Sequence, residues 1–112
     1  MHQAPLKNAL DKLYQRQTKR PAIRNAGVVA LVHLLRVAQR DTGQSSIVAR
    51  FLLGLYNGPE HPFDLTTLRS LDADLFDNCI AVLRLDNSPE HEVHTYVANG
   101  DAIWQDLRRR WV

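Results

Sequence analysis

The segment from residue 45 to residue 56 constrains the fold most, because it is apolar on several sides of one helix. Its apolar side chains recur at i, i+1, i+4, i+5, i+8 and i+9 and are Ile47, Val48, Phe51, Leu52, Leu55 and Tyr56. This spacing predicts a helix with one apolar face, and Leu53 widens that face. A helix with so much apolar surface belongs inside a core. We therefore expect this helix to lie at the centre, with the other helices packed around it.

A polar turn at residues 41–44 separates the central helix from an apolar stretch before it. Gly43 suits a left-handed conformation just past a helix end, because it has no Cβ to clash with the backbone. Ser45 or Ser46 can accept a hydrogen bond from an unpaired N–H group and so cap the central helix. The turn thus predicts two consecutive helices joined by a short connection.

The preceding helix is predicted over residues 22–40 from the recurrence of its apolar positions. Gly27 lies inside this helix, where it costs stability relative to alanine and suggests a close helix crossing. His33 has apolar neighbours, so we expect a packed, hydrogen-bonded histidine rather than a metal ligand.

The N-terminal segment predicts a separate amphipathic helix over residues 4–17. Its apolar face is formed by Leu6, Leu10, Leu13 and Tyr14. The polar stretch 15–21 ends in Pro21 and predicts a linker. We therefore expect residues 1–20 to form a basic N-terminal helix and linker, followed by a helical domain at residues 21–112. The helix could move independently or fold on a partner, but the sequence favours a helix packed on the core.

The second half of the chain predicts further short helices. Asp64 and Asp72 are suited to cap two of them, and the spacing of Trp104, Leu107 and Trp111 predicts a last helix. Residues 93–97 alternate in a way that suits a short strand, but no partner strand is evident. The predicted fold is an all-α, compact single-domain bundle of about five helices, with a short extended segment near 93–97 left open.

The central stretch also carries a resemblance. Residues 37–57 spell VAQRDTGQSSIVARFLLGLYN, and FDLTTL follows at residues 63–68. This sequence resembles a family of small uncharacterised bacterial proteins with the signature V-A-Q-x-D-T-G-Q-S-x-x-V-A-x-F-L-L-x-x-x-N followed by F-D-L-T-x-L. The resemblance covers about residues 31–85. It implies the identity of the domain, and it implies no activity, because no activity is established for the family.

Composition limits the class of protein. A chain of 112 residues suits one domain with a single core. The single cysteine, Cys79, fits a reducing cytosol. Residues 1–20 show no apolar leader, and the apolar runs are shorter than a membrane span. We therefore expect a soluble, cytoplasmic protein that does not enter a membrane.

Charge is distributed unevenly along the chain. Residues 1–50 carry nine Lys and Arg against two acidic residues, whereas residues 51–112 carry five against ten. A basic half could attract a nucleic acid or an acidic protein. Alternatively, the opposite charges of the two halves could neutralise each other through packing or self-association. The sequence favours this second interpretation.

No pattern predicts catalysis, a cofactor or a metal site. His91 and His94 are three residues apart, which differs from the i, i+4 histidines of a zinc-protease helix. Cys79 lies on the apolar side of its helix, where a thiol is expected to be inert. Ser45 is not part of a G-x-S-x-G elbow. We therefore expect a protein that is not an enzyme.

The sequence favours a protein-interaction or regulatory accessory module that binds an unknown protein partner. The module could also form a homodimer. Its candidate surface is formed by polar residues around the central helix, namely Gln39, Asp41, Gln44 and Asn57. The alternative is a nucleic-acid-binding protein with a helix-turn-helix-like pair. Its basic face would be Lys12, Arg16, Lys19, Arg20 and Arg24.

Overall fold

The computed structural model describes residues 4–111 of the chain, and the side chains of residues 6–111. It contains four α-helices and two short 3₁₀-helices. The α-helices are α1 (Ala4–Ala38), α2 (Gly43–Tyr56), α3 (Ala73–Asn87) and α4 (Gly100–Trp111), and the 3₁₀-helices are Leu65–Ser70 and Val93–Tyr96. No strand occurs in this part of the chain. The predicted all-α, single-domain fold is confirmed.

Helix α2 lies at the centre, as its apolar pattern predicts. Val48, Ala49 and Leu52 are completely buried, and α2 packs against α1, α4 and both 3₁₀-helices. The indole N–H of Trp104 on α4 donates to the carbonyl of Leu52 at 3.2 Å. This bond satisfies a buried donor and fixes α4 against the central helix.

The turn before α2 is capped differently from the prediction. Thr42 is the N-cap residue, and its Oγ1 accepts from the backbone N–H of Ser45 at 3.0 Å. The Ser45 hydroxyl in turn accepts from the backbone N–H of Thr42 at 3.1 Å, which completes a capping box. Gly43 is the first residue of α2 and has no positive φ. The prediction of a left-handed Gly43 is wrong, because the turn lies two residues earlier than expected and α2 begins at Gly43. Ser45 does accept from an unpaired backbone N–H, as predicted, but the N-cap residue itself is Thr42.

Helix α1 is continuous through Pro21, so the predicted linker at residues 15–21 is wrong. A proline inside a helix removes one hydrogen bond and clashes with the preceding turn, at a cost of about 3 kcal/mol. Contacts on both sides of Pro21 connect this part of α1 to the loop after α3. Arg20 and Arg24 both bind Glu90, which follows α3. Arg20 and Arg24 are separated from Glu90 by 70 and 66 positions in the sequence, so a local sequence pattern does not show these contacts.

The first turns of α1 extend past the body of the protein. A helix of 35 residues is about 52 Å long, and the molecule measures 58 × 30 × 26 Å. The side chains of residues 6–19 are all exposed. We call residues 6–19 the N-terminal arm. Whether the arm moves independently of residues 21–112 stays a prediction.

Helices α1 and α3 pack closely at Gly27. A Cβ placed on Gly27 would lie 2.6 Å from the Cβ of Leu85. Carbon atoms in contact are normally about 3.5–4.0 Å apart, so glycine is required for this approach. The close helix crossing suggested by the sequence is therefore present, and α3 is its second helix.

The last turn of α4 covers the end of α1. Arg110 donates to the carbonyls of Gln39 and Arg40 at 2.9 and 3.1 Å, and the indole of Trp111 donates to the carbonyl of Ala38 at 3.2 Å. These donors satisfy carbonyls that have no partner within a helix. The basic end of α4 thus has a structural role.

Other local predictions have mixed outcomes. Asp64 and Asp72 cap the first 3₁₀-helix and α3, as predicted. Residues 93–97 are not extended as a strand, because Val93–Tyr96 forms a 3₁₀-helix. His33 is exposed rather than packed, since it lies on the outer face of α1.

The segment Leu6–Ala38 of α1 is long and apolar enough to cross a membrane, judged by length and composition alone. This differs from the expectation that the apolar runs of the helices are shorter than a membrane span. The core helix of a soluble protein passes the same test, and 39% of the qualifying window is buried in this fold.

Candidate interaction groove between the first and third helices

An open groove of about 1290 Å³ runs between α1 and the C-terminal end of α3. One wall is formed by residues 12–24 of α1, and the other by residues 80–90 of α3 and the loop after it. We call this feature the α1–α3 groove. It exists because α3 ends at Asn87 while α1 continues past that point as the N-terminal arm.

Glu90 anchors the loop at one end of the groove. Arg20 Nε lies 3.0 Å from Glu90 Oε1, and Arg24 Nη1 lies 3.2 Å from Glu90 Oε2. The hydrogen bond from Arg20 is the largest influence on the pKa of Glu90 and, with Arg24, lowers it against the opposing effect of burial. Two cations of the groove are therefore bound to a carboxylate of the same chain.

Arg20 also caps α3. Its guanidinium donates to the carbonyl of Leu85 at 2.9 Å and to that of Ser88 at 2.6 Å. The last carbonyls of a helix carry partial negative charge, so a cation there is stabilising. Arg20 is mainly a structural residue, although the sequence placed it among candidate nucleic-acid contacts.

Four other cations of the groove face solvent. Lys12, Arg16 and Lys19 lie on the arm, and Arg84 lies on α3; all four are exposed. The spacing of Lys12, Arg16 and Lys19 is i, i+4, i+7, which aligns them on one face of α1. Of the five basic residues predicted from sequence, the structure brings Lys12, Arg16 and Lys19 together along the groove, and none of the three forms an ion pair with another residue of the described chain.

Half-buried apolar side chains form the floor of the groove. Ile23 contributes from α1, and Ile80 and Leu83 contribute from α3. Phe76 lies one turn before Ile80 and is 39% exposed. Helix α3 therefore has two apolar faces, one inside the core and one partly open to solvent.

The arm carries a second exposed apolar surface. Leu6, Leu10, Leu13 and Tyr14 are 64, 57, 52 and 69% exposed. They lie on one side of α1, and Lys12, Arg16 and Lys19 lie on a different side, which lines the groove. No other element of the described chain covers them.

The turn residues predicted as an interaction surface have different environments. Gln44 Oε1 accepts from the backbone N–H of Asp72 at 2.7 Å. Asn57 binds Glu60 through both ends of its amide, at 3.1 and 3.2 Å. Gln39 and Asp41 are exposed.

Asn57 also lies far from the other three residues of that predicted surface. It follows the end of α2, whose 14 residues span about 20 Å, whereas the other three residues lie at the start. The structure therefore gives Gln44 and Asn57 stabilising bonds and does not bring all four residues together. Their role in binding a partner stays a prediction.

The side chains that could act in catalysis or metal binding lie outside the groove lining. Cys79 is fully buried, and burial raises its pKa to about 12, so it is not a thiolate near neutral pH. His94 packs edge-on against Tyr56 and lies 3.1 Å from Asp101. His91 is exposed beside Tyr96. Among the described residues, no group of three or more His, Cys, Asp or Glu is arranged to hold a metal.

Sequence reasoning missed Ile80, Leu83 and Arg84 as components of this surface. A pattern was available, because Phe76, Ile80 and Leu83 follow i, i+4, i+7 beside the buried face of α3. Their position opposite the arm depends on contacts between distant residues, which periodicity does not reveal.

Comparison with known proteins gives a family assignment without an activity. Residues 28–112 match the family described as a family of unknown function, DUF7673. No curated protein and no solved structure matches the chain. The α3 wall of the groove lies inside the matched region, whereas Lys12, Arg16 and Lys19 precede it.

Proposed function

The chain belongs to DUF7673, a family of unknown function, and on that premise we propose that it is a non-catalytic protein-interaction module that binds a partner in the α1–α3 groove. The proposal places it in the cytoplasm as a regulatory or accessory component. It replaces the turn residues with the groove as the main contact surface.

One observation carries this proposal, namely that the groove combines an apolar floor with exposed basic side chains. Ile23, Ile80 and Leu83 are only half-buried, and removing apolar surface from water contributes roughly 25 cal/mol per Å². The surrounding cations supply orientation and specificity. Interfaces commonly have such an apolar centre with a polar rim.

Photo-crosslinking from within the groove tests the proposal. A photoreactive phenylalanine analogue at position 83 lies on the groove floor, whereas the same analogue at exposed Val29 of α1 lies outside the groove lining. We expect a discrete protein adduct from position 83 and none from position 29, in cells of the organism that encodes the chain. Mass spectrometry identifies the adduct, and a second copy of this chain would show that the groove serves a homodimer.

Equal adducts from both positions would contradict the proposal, because they would show that proteins contact the surface nonspecifically and do not bind preferentially in the groove. An adduct formed only with nucleic acid would also contradict it. Thermal denaturation of both labelled proteins is the control for folding.

Nucleic-acid binding is the second candidate, and the free cations favour it. Helix α2 is poorly suited to read bases because Val48, Phe51 and Leu52 are buried, so binding would use the arm instead. Four exposed cations neutralising four phosphates would give a slope of about −3.6 for log K against log salt on duplex DNA. Fluorescence anisotropy with a labelled duplex measures that slope, and a slope near zero would exclude this candidate.

A further inference from the structure

We propose that the occupant of the α1–α3 groove is a short acidic amphipathic helix of a partner protein. This inference rests on the proposed interaction function and names the partner class. Its basis is the charge of the groove, the helical spacing of its cations and the end of α3 beside the arm.

The charge of the groove is complementary to an acidic ligand. Six basic side chains line it against two acidic ones. Glu90 is occupied by Arg20 and Arg24, which leaves Asp86 as the remaining carboxylate of the lining. Lys12, Arg16, Lys19 and Arg84 therefore outnumber the free acid four to one. An acidic segment gains attraction here, whereas a basic segment is repelled.

The spacing of the cations fits a helix. Lys12, Arg16 and Lys19 extend over seven residues of α1, which is about 10 Å along the axis. A neighbouring helix with carboxylates at i, i+4, i+7 presents the same spacing, so three charge pairs can form together. Apolar residues on the adjacent face of that helix would contact Ile80 and Leu83, as in helix-in-groove recognition.

The architecture leaves a helix-shaped space in the same direction. Helix α3 packs along α1 from the Gly27 crossing to Asn87, where it ends. Residues 6–19 of α1 continue beyond that end without a neighbouring helix. A partner helix can occupy this position alongside the arm and meet the apolar end of the groove.

Two other anionic partners fit less well. A nucleic acid would place charged phosphates beside the apolar floor. A flat anionic bilayer would not reach Ile80 and Leu83 inside a concave groove. A partner helix can satisfy the cations and the floor at once.

Peptide binding to the full chain tests the inference. The probe is a fluorescent peptide of about 15 residues, with glutamates at i, i+4, i+7 and leucines on the adjacent face. Its counterpart carries lysine at each glutamate position. We expect the acidic peptide to raise anisotropy at about 10 mM salt, where screening is weak, and the lysine counterpart to bind at least about ten-fold more weakly.

A matched pair of variants locates the site. Lys19→Glu reverses a charge in the groove, and Lys7→Glu makes the same change on an exposed arm position outside the groove lining. We expect Lys19→Glu to weaken binding about five-fold and Lys7→Glu to change it less than about two-fold. Circular dichroism verifies that both variants keep their helices. Equal weakening by the two variants would overturn the inference, since it would indicate general charge attraction.

The remaining outcomes separate this inference from the proposed function. Failure of the acidic peptide to bind, with a specific protein adduct from position 83, overturns the acidic helix and leaves the interaction function standing. Absence of both overturns both. Tighter binding of a DNA duplex or of vesicles rich in phosphatidylserine than of the acidic peptide overturns the inference in favour of those partners.

Discussion

The crossing of α1 and α3 at Gly27 gives the sharpest stability prediction, because two known effects oppose each other there. Gly27→Ala improves helix propensity by about 1 kcal/mol. The added methyl group, however, would lie 2.6 Å from Leu85 Cβ, 3.1 Å from Leu85 Cδ2 and 3.2 Å from the carbonyl oxygen of Ala81. Leu85 Cβ is fixed to the backbone of α3, so a side-chain rotation cannot relieve the closest contact.

The expected result is a net loss of stability. Overpacking in a well-packed interior typically costs about 1–3 kcal/mol. Subtracting the propensity gain leaves a decrease of up to about 2 kcal/mol in the free energy of unfolding, with about 1 kcal/mol as the central expectation. A change of 1 kcal/mol lowers the Tm of a domain of this size by roughly 4–8 °C.

Urea denaturation followed by far-UV circular dichroism measures this change, and Gly43→Ala is the matched control. Gly43 is also helical, has no positive φ, and has no atom within 4 Å of an added Cβ. We expect Gly43→Ala to raise stability by up to about 1 kcal/mol. If Gly27→Ala were stabilising to the same extent, with an unchanged m-value, the close α1–α3 contact would be refuted.

Three further predictions concern other parts of the fold. Because its pKa is lowered in the folded state, Glu90 contributes stability above its ordinary pKa of 4.5, and this stability is lost as pH falls through the folded value. Between about pH 6 and pH 3, the urea denaturation midpoint should therefore fall less in Glu90→Gln than in wild type. Parallel curves of midpoint against pH would contradict this. Cys79 should react with a thiol reagent at pH 8 only as fast as the protein unfolds, since its side chain is completely buried and burial also raises its pKa, and immediate labelling of native protein would contradict its burial. Trp104→Phe should lower the free energy of unfolding by about 1–3 kcal/mol, because it removes the buried hydrogen bond to the Leu52 carbonyl and puts a smaller ring in a fully packed site, and an unchanged denaturation midpoint would show that this bond is dispensable.

The helical class and the central helix were predictable because local patterns determine them. The apolar spacing of residues 47–56 identified α2 as the core helix, and its fully buried Val48 and Leu52 confirm this. Asp64 and Asp72 were recognisable as caps, since each accepts a hydrogen bond from an N–H two or three residues later. These interactions lie within a few residues of each other in sequence.

Predictions that depended on competing local patterns were less accurate. Thr42 and Ser45 form a capping box, whereas the sequence pattern indicated Ser45 or Ser46 as the cap. Residues 93–97 alternate like a strand, but the Tyr96 hydroxyl accepts from the backbone N–H groups of Glu90 and His91, each at 3.3 Å. Those bonds close a compact turn, for which hydrophobic alternation provides no indication.

Pro21 connects the main error in the fold prediction with the candidate site. A break at Pro21 would let residues 6–19 leave the body of the protein, and Lys12, Arg16 and Lys19 would no longer face α3. The continuous helix instead holds these cations along the same groove as Ile80 and Leu83. Arg20 maintains this arrangement by binding Glu90 and the end of α3. The same long-range contacts therefore hold α1 against the end of α3 and form the groove, which explains why sequence patterns showed the basic residues of one wall but not the residues of α3 opposite them.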